Sequence, residues 1–358
     1  MKFPLFSTVR TLHAWGGITL SLLMMLVSFT GTLLVWKDDY LRLTLPAARV
    51  AFSPTPEALA TIGAAIDQRF DPAQVLKVYF ATAELPLTQV ILSGERYAYL
   101  DTEGGLVDEW RGNGRAEEWL FDLHHRLLLD NLGLTLVGAA ACAMVVLVIA
   151  GAVAFWPARR GWRHGLLPTS SARPALLATH RNLGIMLALP LLLTLITGIT
   201  LAFPAPLEEW LLGELRSSED YSNAMMDGVD NIEGDTSGAW LPAMQRALAV
   251  FPSGAVVRSA QVPGPYSNYR ILGLQQRGEW SRNGLSLVYI DADGGWMDLR
   301  HDALHLPLRE RVYNTALPLH TGRLGQRWYQ VALTLSGVGI LLLSALGLVS
   351  FIKRYTKA

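Results

Sequence analysis

Four long apolar runs punctuate the chain, at Leu12–Trp36, Leu132–Trp156, Leu183–Phe203 and Val331–Ile352. Each reaches the length of about 20 residues that a helix needs to cross a hydrocarbon layer. The pattern changes in the two long intervals between runs one and two and between runs three and four. Each interval opens with apolar residues at helical spacing, Glu57–Phe70 in the first and Leu241–Phe251 in the second. Alternating, strand-like stretches follow, such as Val75–Phe80 and Val90–Leu92. Each interval then closes on a strand and an acidic, paired-glycine turn: Tyr99-Leu100-Asp101-Thr102-Glu103-Gly104-Gly105 against Tyr289-Ile290-Asp291-Ala292-Asp293-Gly294-Gly295. Such turns call for positive φ. The expected fold is a mainly α membrane protein, with four transmembrane helices in two repeated halves and two α+β exported domains.

The repetition is numerical. The segment from Thr30 to Trp36 matches that from Thr197 to Phe203 at an offset of 167, which also carries His13 onto His180 and Gly17 onto Gly184. Helices two and four agree at an offset of 196, through Leu123-His124 on Leu319-His320 and Gly151 on Gly347. Halves repeated in one orientation imply a pseudo-two-fold axis along the membrane normal, so equivalent positions face each other across the bundle. Segment Ser217–Gly238, polar and rich in Asp, Gly and Ser, has no counterpart in the first half and reads as an insertion. The expected division is 1–36 (first span), 37–118 (first exported domain), 119–157 (interfacial segment and second span), 158–179 (cytoplasmic loop), 180–204 (third span), 205–315 (second exported domain) and 316–358 (interfacial segment, fourth span and tail).

Composition agrees with a membrane protein: 51% of the 358 residues are hydrophobic and 17% charged, against about 25% charged in soluble domains. Net charge is zero, and no basic block offers the cationic face that nucleic acid requires. The single cysteine, Cys142, excludes an intrachain disulfide and any cysteine-based metal site. The first run is too long for a signal-peptide core and lacks a following cleavage site, so it reads as an uncleaved anchor. Lys and Arg collect at Lys2 and Arg10, at Arg159, Arg160, Arg163 and Arg173, and at Lys353, Arg354 and Lys357; acids (Asp38, Asp39, Glu208, Glu209) follow helices one and three. By the positive-inside rule the termini and the middle loop are cytoplasmic.

Four of the eight histidines stand at helix ends in repeat-matched pairs: His13 with His180, and His124 with His320. One interfacial histidine is most often a polar end group. Four at fixed offsets in a membrane bundle are harder to explain as packing, because ionisable groups there are costly and tend to mark function. Two opposed imidazoles near a bundle axis are what a b-type haem requires on its two iron faces. His125 is an alternative to His124, since adjacent helical residues point about 100° apart and only one can face the axis. His301 and His305, four apart, would share a metal on a helix or else form a solvated surface pair; His164 reads as merely polar. Met24, Met25, Met144 and Met186 are soft donors whose default role is packing. Trp36, Trp156, Trp210 and Trp328 fit an interfacial belt. Glycines from Gly16 and Gly17 through Gly31, Gly138, Gly151, Gly184, Gly198, Gly337, Gly339 and Gly347 allow close helix approach or room for a flat macrocycle. Pro190 is expected to kink helix three. No phosphate-binding, dinucleotide, zincin or Ser/His/Asp motif is present.

These motifs, Leu12-His13-Ala14-Trp15-Gly16-Gly17, Asp122-Leu123-His124 with Arg126-Leu127-Leu128-Leu129, His180-Arg181-Asn182-Leu183-Gly184, and Leu319-His320-Thr321-Gly322-Arg323-Leu324-Gly325 with the Thr-Gly helix ends, resemble the PepSY-associated transmembrane helix family of siderophore-linked, iron-regulated membrane proteins. The resemblance spans nearly the whole chain. It implies PepSY-like exported domains and a multi-pass protein of the bacterial inner membrane. It further implies two b haems held by His13, His180, His124 and His320, and electrons passed from a cytoplasmic donor or quinone to a ferric siderophore in the periplasm. A hydrocarbon layer of about 30 Å makes the separation of the two sites a concern, which buried histidines, the macrocycles or an aromatic relay would ease. Two other readings compete: a non-redox PepSY module that binds or inhibits an exported enzyme, and a metal transporter, which lacks acidic or histidine residues at mid-bilayer depth.

Overall fold

The computed structural model describes residues 4–157, 166–216, 239–251, 254–263, 269–279, 281–291, 299–324 and 327–355. Lys2, Arg159, Arg160, Arg163, His164, the Ser217–Gly238 segment, the Ala292–Gly295 turn, Gly325 and Lys357 lie outside them. Four helices are long and apolar enough to cross a membrane: α1 (Pro4–Leu34), α5 (Asp130–Phe155), α6 (Arg173–Ala202) and α11 (Arg327–Tyr355). Even the shortest, of 26 residues, rises about 39 Å, more than the hydrocarbon thickness. α6 begins at Arg173 rather than near His180, because Pro174 sits in the first turn, where a missing N–H costs nothing. Pro190 lies inside α6. α1 packs against α5 and α11, and α6 packs against the same two. The bundle is therefore a ring in which the two repeat-matched pairs of helices lie diagonally.

The bundle core is aliphatic and keeps the repeat. Met24, Ala140, Ala141, Leu191, Leu195 and Ile340 are its buried members. Met24 and Leu191 are separated by the 167-residue offset, and partly buried Met144 stands at 196 from Ile340. Of the four sequence-noted tryptophans, Trp156, Trp210 and Trp328 are well exposed. Trp36 instead donates its indole N–H to Thr334 Oγ1 at 2.9 Å.

The two segments that link α1 to α5 and α6 to α11 are paired strand to strand. They share one antiparallel sheet of order β4-β3-β2-β1-β5-β6-β7-β8, with strands β1 (Val75–Tyr79), β2 (Thr88–Leu92), β3 (Arg96–Leu100), β4 (Leu106–Arg111), β5 (Ala255–Gln261), β6 (Tyr269–Gln276), β7 (Ser286–Asp291) and β8 (Leu299–His301). The seam pairs β1 with β5, Val78 opposite Ala260 and Tyr79 opposite Ser259. Joining two four-stranded meanders removes one exposed edge from each, an edge that would otherwise invite foreign strands.

Alternation along the strands builds two different faces. On one, helices α3 (Pro56–Arg69) and α8 (Trp240–Ala249) cover Val78, Val90, Ala98, Leu100, Val257, Leu272, Leu274 and Val288 in a single core. On the other, Tyr99 and Trp110 pack with Leu41 of α2 (Lys37–Thr44), which follows α1 directly. α3 starts on Thr55, whose side chain accepts from the Ala58 N–H. In the turn after β3, Asp101 Oδ1 accepts from the Glu103 and Gly105 N–H groups at 2.9 and 2.7 Å, and Gly104 takes the expected positive φ of 84°. Gly63 of α3 lies against the Trp240 ring of α8, so closely that any Cβ would collide with it.

Gly63→Leu should thus lower stability by about 1–3 kcal/mol through overpacking. Thermal unfolding of the full-length protein followed by tryptophan fluorescence would then show a lower midpoint; an unchanged midpoint would contradict the shared core.

Candidate functional site: two opposed histidine pairs

His13 lies inside α1 and His180 inside α6, each more than a turn from its helix start. His124 and His320 are not on spanning helices. They belong to short helices α4 (Ala116–Arg126) and α10 (Ala316–Thr321), which precede α5 and α11 and press their imidazoles into the bundle. The reversal out of α4 runs through left-handed Leu127, Leu128 and Asp130, at φ 53°, 59° and 49°. Non-glycine residues in that region cost of order 1–3 kcal/mol each and persist only where surrounding packing enforces them. α10 ends more simply, on left-handed Gly322. Tyr329 then ties α10 to α11 by donating its hydroxyl to Leu319 O at 2.6 Å. Lys37–Glu118 (2.8 Å) fastens α4 to the start of α2, and Arg323–Asp38 (3.4 Å) fastens the α10 end to the same helix.

The four rings meet in twos. His13 and His180 have centroids 6.1 Å apart, and so do His124 and His320. Each Nδ1 lies on a backbone carbonyl of a neighbouring helix: His13 on Leu147 O (3.0 Å), His180 on Leu343 O (3.0 Å), His124 on Val27 O (2.9 Å) and His320 on Thr194 O (3.2 Å). The partners obey the sequence offsets, 196 for Leu147 to Leu343 and 167 for Val27 to Thr194. Thr30 and Thr197 hydroxyls stand 3.2 and 3.1 Å from the Nδ1 of His124 and His320. A carbonyl oxygen only accepts, so Nδ1 carries the proton in all four rings. In a neutral imidazole that leaves Nε2 as a bare lone pair. This is the second contact by which proteins orient a metal-binding histidine.

Room for the rings comes from glycine. A Cβ at Gly31 would stand 2.7 Å from His124 Cε1, at Gly151 3.0 Å from His13 Cε1, and at Gly198 3.1 Å from His320 Cε1; Gly347 faces His180 at 3.6 Å. The sequence offered these glycines only as helix-approach or macrocycle positions. Their function as imidazole seats is legible only once the contacts are known, although their shared offsets with the histidines pointed to it.

A linear nitrogen–metal–nitrogen link with bonds of about 2 Å sets ring centroids about 6.4 Å apart, close to the spacing in both pairs. Among the described residues no group of three or more His, Cys, Asp or Glu side chains is arranged to hold a metal. Two protein ligands per site are too few for a structural zinc and suit a metal whose remaining positions are filled by a macrocycle. An apolar groove of about 390 Å³ on the terminal side of the bundle is lined by Phe6, Val148, Ala152, Ala188 and Leu192, and neither His13 nor His180 lines it. Along α1, His13 and the Val27–Gly31 seat of His124 are some 16 residues apart, about 24 Å. The layer between them is the aliphatic core with Met24 and Met144, and no aromatic residue belongs to it. The expected aromatic relay is therefore not part of that layer.

Of the remaining candidates, His125 turns away and stacks on Phe121 at 5.2 Å. The structure thus brings His124, not His125, opposite His320. His301 ends strand β8 and His305 lies in the following turn, so the two do not share a helix. His305 is largely exposed and its Nδ1 meets Asp302 Oδ2 at 2.9 Å.

The packing predicts reactivity. Diethylpyrocarbonate should modify His305 readily and His124 hardly at all in the detergent-solubilised protein, read by mass spectrometry. Gly31→Val, which drives a side chain into the His124 ring, should raise His124 modification several-fold; equal protection in the variant would show that the glycine seat is not needed.

No curated protein matches the chain. The family model described as PepSY-associated TM region matches residues 10–354. With four bilayer-length helices and a family match over nearly its whole length, the chain is a membrane protein and belongs to the PepSY-associated TM family.

Proposed function

We propose that the protein is a di-haem b-type reductase of the bacterial inner membrane that moves electrons outward to reduce ferric siderophores. One observation carries the reading: two pairs of opposed imidazoles, each with centroids 6.1 Å apart and every Nδ1 held by a backbone carbonyl. His13 and His180 would hold the haem nearer the chain termini, and His124 and His320 the haem nearer the sheet. Bound haem would supply a one-electron carrier at each level of the bundle. The chain's own residues do the rest. Carbonyls of Leu147, Leu343, Val27 and Thr194 fix the tautomer, the four glycines admit the rings, and the aliphatic layer excludes water between the two levels.

Direction follows from charge. Arg10, Arg173, Lys353 and Arg354 gather at the end where α1 and α6 begin and α11 finishes, which supports a cytoplasmic placement of that end and of both termini. The sheet then faces the periplasm, where iron(III) held by a siderophore is released far more readily after reduction. No flavin or nicotinamide motif is present, so the donor is a separate cytoplasmic protein or a quinone.

Visible spectra of the purified protein test this. Two haems per chain are expected, with a Soret band and dithionite-sensitive α and β bands. His13→Ala or His180→Ala should remove about half the Soret absorbance, and His124→Ala or His320→Ala the other half, while His125→Ala keeps both. Colourless wild-type protein, or haem unchanged in all four alanine variants, would sink the reading and favour a non-redox PepSY module that binds or inhibits an exported enzyme.

A further inference from the structure

Helix α4 carries His124 and follows edge strand β4 after only four residues, Gly112 to Arg115. Glycine makes so short a turn feasible. Gly112 takes a φ of 48°, and a Cβ at Gly114 would stand 3.0 Å from Arg111 O and 3.2 Å from Trp110 Cβ. Asn113 donates its side-chain N–H to Asp122 Oδ2 at 2.9 Å, which binds the turn to the body of α4. Strand and helix are joined with little slack.

Arg115, the residue that caps the start of α4, closes the joint. Its Nη1 donates to Asp108 of β4, and its Nε donates to the Glu117 carboxylate in the first turn of α4. The guanidinium also lies over the Tyr99 and Trp110 rings, 5.4 Å from each centroid. The Arg115 side chain is 12% exposed and that of Glu117 2%. The second Glu117 oxygen has no hydrogen-bond partner among the described residues. A buried carboxylate holds its cation firmly, because losing it strands a charge away from water. Arginine suits the place, since its planar fork serves two carboxylates while stacking on rings.

The far end of α4 leaves through left-handed Leu127, Leu128 and Asp130, a path that persists only where the surroundings enforce it. The position of α4 is thus imposed from outside its own backbone. Arg115 and His124 are nine residues apart, about 13 Å of helical rise, a span short enough for a stiff arm. The second half has no copy of the joint. At the 196-residue offset Asp108, Arg115 and Glu117 fall on Leu304, Arg311 and Tyr313, and Arg311, in α9 (Leu308–Asn314), is exposed. The arm that carries His320 is tied to the bundle instead, by Tyr329 on Leu319 O.

We infer that Arg115 is a positioning residue for the sheet-side histidine pair: it makes α4 an extension of the sheet, so that a load on the sheet reaches the pair through His124 and not through His320. Without the clamp the strained reversal relaxes and the imidazole leaves its Gly31 seat. That the positioned ring ligates haem rests on the reductase reading; the clamp itself does not.

In haem-loaded full-length protein, electron paramagnetic resonance of the oxidised state reads the two low-spin centres separately, and His124→Ala identifies the sheet-side one by its loss. Arg115→Gln should shift the g values of that centre and leave the other unchanged, and Arg115→Lys should restore most of the wild-type signal. Asp108→Asn, which removes one arm of the fork, should shift it in the same direction by less, and it carries the test if Arg115→Gln does not accumulate. Arg311→Gln, at the repeat-matched position, should leave both centres as in wild type. If the protein is colourless the reductase reading has failed, and diethylpyrocarbonate then reads the same variants: Arg115→Gln should raise His124 modification several-fold with none gained at His13 or His180. An unchanged sheet-side signal or unchanged His124 reactivity in Arg115→Gln, an equal shift of both centres, or an equal rise at His320 overturns the inference. The clamp can therefore fail with haem present and stand without it, so the two failures are told apart.

Discussion

Each histidine of the two pairs donates its Nδ1 proton to a carbonyl on a different helix, and the organisation of the bundle turns on those four contacts. A helix carbonyl already serves its own ladder, so accepting a second donor requires the imidazole to approach edge-on through a gap. Gly31, Gly151 and Gly198 make the gap, since a Cβ at any of them would stand within about 3 Å of the ring. A hydrogen bond of this kind between membrane helices is worth about 1 kcal/mol. Its larger consequence is chemical: it fixes the tautomer and leaves the lone pair on Nε2.

The repeat explains why two such pairs exist and why they align. Contacts recur at offsets of 167 and 196 not only in the histidines but in their carbonyl acceptors, their threonines and their glycine seats. The sheet extends the same relation beyond the bundle. β1 and β5 meet at its centre, and α3 and α8 close over one core.

Much of this was written in the chain. Hydropathy located the four spanning helices, because twenty apolar residues have few other uses, and the offsets paired the histidines before any contact was known. Three things were not legible. Helix starts at α1 and α6 run earlier than the apolar runs, since polar residues such as Arg173 and Thr179 continue a helix without adding hydropathy. Placement of His124 on a separate short helix depends on backbone reversals at Leu127 and Leu128, residues with no intrinsic preference for positive φ. Fusion of the two linking segments into one sheet is a long-range pairing of Val78 with Ala260, for which local pattern carries no signal. The choice between His124 and His125 likewise rested on which ring finds a glycine seat.

The proposed ligation is tested most directly by near-infrared magnetic circular dichroism of the oxidised full-length protein. Bis-imidazole, low-spin ferric haem at both sites is the result expected from two histidine pairs whose Nε2 atoms are left free. Absence of haem, or a methionine- or water-ligated signature at either site, would contradict it.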